Sequence, residues 1–206
     1  MRIERPKPTP DQMRRFGDQL AEAADGRGIE GRVCGAHCTI VCPQCGSTAC
    51  QCRCTPGCPD APATLSSEPE AYPIETGAVP VVFEMSRLGM FRPCWSCEGH
   101  LDPQGALWKL PAVCFYCDSL VHVRLLGAGL ARLSTDGTLK AKWQVVITFS
   151  DPDNIATAFS LEPKQPIDAG IGLEELRADF ATIARALQGL MKQEARGLKA
   201  SARATP

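Results

Sequence analysis

Apolar residues along the chain follow two spacings, helical and alternating, and a stretch that lacks either separates the first helix from the rest. Met13, Phe16 and Leu20 share one face of a helix predicted over Thr9–Gly26. Thr9 caps it, Pro10 suits its first turn, Gln12 completes a capping box, and Gly26 and Gly28 end it. Val79, Val82, Phe83 and Leu88 mark a second helix that stops at Gly89, with Pro80 tolerated in its first turn. Phe91–Trp95 and Leu110–Tyr116 read as short strands joined as a hairpin, with Asp102, Pro103 and Gly105 in the turn.

Ser119 is placed to cap a further helix carrying Leu120, Val123, Leu126, Leu130 and Leu133, interrupted by Gly127 and Gly129 and stopped at Asp136-Gly137. Trp143–Phe149, WQVVITF, is the clearest strand, and Ala158–Leu161 returns as its antiparallel partner after the turn at Asp151–Asn154. Leu173, Leu176, Phe180, Ile183, Leu187, Leu190 and Met191 form the stripe of a last helix, from about Leu173 to Leu198. Such a stripe covers a sheet more often than it zips a dimer.

These elements predict an α+β protein: a small cysteine-rich N-terminal metal-binding module, then a compact α+β domain with an antiparallel sheet and a long C-terminal helix. The expected division is an N-terminal helix and arm over 1–32, the cysteine-rich module over 33–62, a proline-rich linker over 63–78 and the α+β domain over 79–200. Six prolines between Pro56 and Pro80 suggest a connection that wraps or leaves the main domain.

Composition adds the chemistry. The cysteine-rich run carries eight thiols, Cys34, Cys38, Cys42, Cys45, Cys50, Cys52, Cys54 and Cys58, with His37 among them. Too rich in Gly, Pro and Cys for an apolar core, this run would fold around metal. MRIERPKPTP lacks the apolar stretch of a secretory signal, and no window reaches the roughly 18 apolar residues that cross a bilayer. A cytoplasmic setting without a membrane is therefore expected, in which clustered cysteines serve as metal ligands rather than disulfides.

Cys94-Trp-Ser-Cys97 and Cys114-Phe-Tyr-Cys117 have the pair spacing of a four-cysteine zinc site. Residues 94–117 resemble zinc-ribbon modules, which implies a structural ion bound by those four thiolates. Ribbon knuckles favour small residues, however, and Phe115-Tyr116 is bulky and strand-loving. If that segment stays extended, Cys114 and Cys117 point to opposite faces. His100, three residues beyond Cys97, then becomes the substitute ligand, and Glu98 beside a metal would be a candidate general base.

Cys42-Pro-Gln-Cys45-Gly46 resembles the rubredoxin-type knuckle of zinc and iron proteins. Eight thiols suffice for two further sites, so twelve cysteines would hold about three zinc ions. An iron–sulfur cluster uses the same thiolates and is the alternative cofactor, implying electron transfer or redox sensing. Cys38-x3-Cys42-x2-Cys45 matches the three-cysteine spacing of radical S-adenosylmethionine enzymes, but the repeated strand–helix units of their barrel are absent from the sequence pattern. RLGMFRPCWSCEGH also resembles small bacterial proteins that carry SCEGH on a strand, a resemblance that implies no activity.

The formal charge of −1 would fall to about −7 if all twelve thiols bound zinc in three sites. Arg53 is the one basic residue between Val33 and Pro62, so a metallated cluster would repel a phosphate backbone. Nucleic acid is thus a less favoured partner than another protein. The function expected is a metal-binding protein, with zinc as a structural ion, that acts as a binding or assembly factor; a metal-assisted enzyme using SCEGH ranks below both other readings.

Overall fold

The chain is described here by a computed structural model covering residues 8–25, 55–148, 157–167 and 170–204. Helix α1, Pro10–Asp25, begins with the expected reciprocal cap. Thr9 N donates to Gln12 Oε1 at 2.8 Å, and Gln12 N donates to Thr9 Oγ1 at 3.2 Å. A single turn, α2 (Ala61–Thr64), precedes α3 (Val79–Leu88), which Gly89 ends in the left-handed region. Strand β1 (Arg92–Cys97), the small pair β2 (His100–Leu101) and β3 (Leu107–Lys109), and β4 (Ala112–Tyr116) follow. Helix α4, Leu120–Thr135, starts under the Ser119 hydroxyl, which accepts from Val121 N and His122 N. Strands β5 (Trp143–Thr148) and β6 (Ala158–Pro163) lead to α5, Leu173–Ala204.

The main sheet is antiparallel in the order β1-β4-β6-β5. Alternation sorts its residues: Val113, Phe115, Phe159 and Leu161 face the helices and are buried, while Cys114 and Tyr116 lie on the opposite face, half-buried. Phe115 meets Phe91 edge-on at 5.2 Å between ring centroids and stacks on Phe159 at 5.7 Å. Helices α1, α3 and α4 all pack on α5, with α4 also against β5 and α3 against β1. The whole predicted stripe of α5, from Leu173 to Met191, is buried in this core. Gly129 explains its place in a helix: a Cβ there would lie 3.2 Å from Leu190 Cβ, so its absence lets α4 close on α5.

Two differences from the expected division concern what belongs to the core. Leu20, Ala23 and Ala24 of α1 are buried among the residues of the later domain, so the N-terminal helix is one of its layers. Of the two courses expected for it, the proline-rich stretch takes the wrapping one, which makes it part of that domain instead of a linker. Ile74 N donates to Pro62 O at 2.8 Å, and Ala61 and Ala78 at its two ends are fully buried. Phe149, expected to end β5, lies outside the described residues.

Candidate metal centre

The turn after β1 decides which side chains meet. Cys97 closes β1, and His100 opens β2, paired with Lys109. Between them Gly99 takes φ +84°, where a Cβ would fall 2.6 Å from Leu173 Cδ1 and 2.8 Å from Pro111 Cδ. Glycine is the residue that tolerates both the left-handed backbone and the close approach. This turn brings the Cys97 sulfur and the His100 imidazole to the same side.

The third member comes from the wrapped stretch. Glu75 sits in the turn that leads into α3, with its carbonyl accepting from Ala78 N and Val79 N. Its Oε1 lies 2.9 Å from His100 Nε2, and its Oε2 accepts from Glu98 N at 2.7 Å. Ligand atoms of Glu75, Cys97 and His100 all lie within 4.8 Å of one another, the one such trio of histidine, cysteine and acidic residues among the described residues.

A second layer holds that trio. Glu98 returns the bond across the gap, its Oε2 accepting from Gly77 N at 2.7 Å. Arg177 of α5 donates to Glu98 Oε1 at 2.9 Å, to Glu98 O at 3.2 Å and to Gly99 O at 3.0 Å. One guanidinium thus ties the helical layer to the turn between two of the three donors.

The donors form a mixed set of sulfur, nitrogen and oxygen. Burial pushes the Cys97 thiol above its ordinary range; the Gly99 N–H and Lys109 oppose that push, and the Glu75 carboxylate adds to it. Sulfur lies deep, whereas the Glu75 and His100 side chains are each 36% exposed. Tetrahedral zinc with bonds of about 2.0–2.3 Å places its ligands roughly 3.5 Å apart, a span this trio meets with small side-chain adjustments.

The four thiols of the two Cys-x-x-Cys pairs do not converge. Cys114 lies mid-strand on the open sheet face, while Cys117, one residue past β4, is buried in the core and donates to Ser119 O at 3.3 Å. Cys94 is exposed and Cys97 buried. For Cys114 and Cys117 the physical reason is the extended conformation of Phe115 and Tyr116, which separates the two sulfurs instead of turning them into a knuckle. His100, the substitute ligand, is the predicted residue that does meet Cys97. Glu98 points its carboxylate at Gly77 and Arg177, where it positions neighbours.

Cys58 is half-buried at the start of α2, its carbonyl accepting from Ala61 N. Cys34, Cys38, Cys42, Cys45, Cys50, Cys52 and Cys54, with His37, lie outside the described residues. Sequence reasoning missed Glu75 and Arg177. Neither stands at ligand spacing from a cysteine: Glu75 falls in a proline-rich stretch, and Arg177 sits on a helix whose signal is its apolar stripe. No described helix is long and apolar enough to cross a membrane. Comparison with known proteins finds no match among family models, curated proteins or solved structures.

Proposed function

We propose that this protein binds zinc at Glu75, Cys97 and His100, and that the ion fastens the wrapped stretch before α3 to the β1–β2 turn. The observation that carries this reading is the convergence of three donors of different chemistry from two distant segments, braced by Glu98 and Arg177. A thiolate, an imidazole and a carboxylate together suit zinc better than calcium or magnesium, which prefer oxygen alone. The cysteine-rich run would hold further ions through its own thiolates, as its eight cysteines suffice for two sites.

The role that follows is a binding or assembly factor. Beside the centre, the β2–β3 hairpin exposes Leu101 and Trp108, and the Trp108 ring lies 6.5 Å from that of His100. An ion at His100 would stiffen this hairpin and present its exposed Leu101 and Trp108 to another protein, where exposed tryptophan is a common anchor.

Anaerobic purification followed by metal analysis tests the reading. Wild-type protein is expected to carry zinc, and Cys97→Ser combined with His100→Ala should lose one equivalent per chain. Cobalt substitution should show a thiolate-to-metal charge-transfer band that Cys97→Ser weakens. Iron with acid-labile sulfide in place of zinc, or a zinc content unchanged in the double variant, would overturn it.

A further inference from the structure

We propose that Cys94 and Cys114 form a redox pair on the open face of the sheet, closing to a disulfide by exchange with a small-molecule disulfide. The site is separate from Glu75, Cys97 and His100. Its geometry comes from the register of β1 against β4. Pro93 pairs with Phe115 and Trp95 with Cys114, so one extra residue, Cys94, is inserted between them. In such a bulge two residues of one strand oppose a single residue of the other. Cys94 and Trp95 therefore both stand opposite Cys114.

Exposure agrees. Strict alternation would turn one of two consecutive residues toward the helices, yet Cys94 and Trp95 are both exposed. Opposed residues of an antiparallel pair have Cα atoms about 4.5–5.5 Å apart, within the roughly 4.4–6.8 Å that a disulfide spans. Proximity agrees: after burial, the charge of Cys114 is the next influence raising the Cys94 thiol.

The two partners differ in the way a stepwise exchange requires. Cys94 is the accessible thiol, and Cys114 is half-buried against β6, paired across strands with Ser160, whose hydroxyl donates to Glu162 Oε2 at 2.8 Å. Cys94, as thiolate, attacks one sulfur of a disulfide RSSR, giving Cys94–S–S–R and expelling RS⁻, which takes up the proton Cys94 released. Cys114 then loses its proton and attacks the Cys94 sulfur, and the second RS⁻ leaves with that proton as RSH. Two protein thiols are oxidised, and RSSR is reduced to two RSH.

The test equilibrates the full-length, zinc-loaded protein with oxidised and reduced glutathione over a range of ratios, then quenches in acid and maps linkages by peptide fragmentation. A Cys94–Cys114 linkage should rise with the oxidised fraction and vanish on reduction. Cys114→Ser should stop at a mixed disulfide between Cys94 and glutathione, and Cys94→Ser should leave Cys114 a free thiol; neither variant should lose the zinc that the combined Cys97→Ser and His100→Ala variant loses. Stable glutathione on Cys94 with Cys114 free in the wild-type protein would overturn the proposal, as would linkage of either residue to other cysteines alone. Loss of zinc in Cys94→Ser would overturn the separation of the two sites.

Discussion

Glu75 and Glu98, twenty-three residues apart, grip each other through the backbone: Glu98 N donates to the Glu75 carboxylate, and Gly77 N donates to the Glu98 carboxylate, each at 2.7 Å. The Glu98 carboxylate pairs with Arg177, while the Glu75 carboxylate accepts from the Glu98 amide and lies 2.9 Å from His100 Nε2. This grip aims Glu75 Oε1 at the imidazole. Outer-layer residues of this kind tune metal affinity by about 10–100-fold. Arg177→Met is accordingly expected to weaken zinc binding by about that factor, with Arg177→Lys restoring part of it, measured by competition with a chromophoric chelator.

Gly99→Ala is expected to cost more than a typical glycine substitution. The left-handed backbone alone costs an alanine about 1–2 kcal/mol, and the new Cβ would fall 2.6 Å from Leu173 Cδ1. Relief requires moving either α5 or the turn. Urea denaturation should show a loss above about 2 kcal/mol, and metal titration should show weakened binding, because Cys97 and His100 flank the displaced residue.

Asp179 is a buried carboxylate fully occupied by three donors: Lys140 N at 2.9 Å, Ala141 N at 2.8 Å and Trp143 Nε1 at 3.0 Å. It anchors the approach to β5 on α5, where Trp143 stacks on Phe180 at 5.4 Å. Asp179→Ala leaves these donors without a partner and is expected to destabilise the fold by about 3–5 kcal/mol in denaturant titrations. Asp179→Asn, which keeps one acceptor oxygen, should lose less.

Alkaline pH should destabilise the metal-free protein through Cys114 and Cys117. Burial is the leading cause that raises both thiols above their ordinary range. In the unfolded chain they ionise near pH 8.5, so the folded state retains protons that the unfolded state has lost. Stability is then fully present below about pH 8.5 and falls as pH rises toward the folded-state values. Denaturant midpoints measured at pH 7 and pH 9.5 should show this decline, and Cys117→Ala should reduce it.

Local pattern was enough for most elements. The Thr9–Gln12 cap, the Gly89 stop, the Ser119 cap and the β5–β6 pairing are each written in residues close together in the chain, where propensity and capping act. The stripe of α5 was legible for the same reason, and its burial follows from its period. The candidate centre was legible by half: Cys97 and His100 share one short motif, so their meeting depends on a single turn.

The sequence by itself determined which segments become helix or strand and where the thiols and imidazoles stand along the chain, because both are properties of side chains and their nearest neighbours. Tertiary structure decided which donors come together. Glu75 reaches Cys97 because the proline-rich stretch folds back along the domain, and Arg177 reaches Glu98 across seventy-nine residues because α5 packs beside that turn. Cys114 and Cys117 separate because their segment stays extended and alternates faces. Spacing along a chain sets distance within one element, whereas distance between elements is set by how their apolar faces pack.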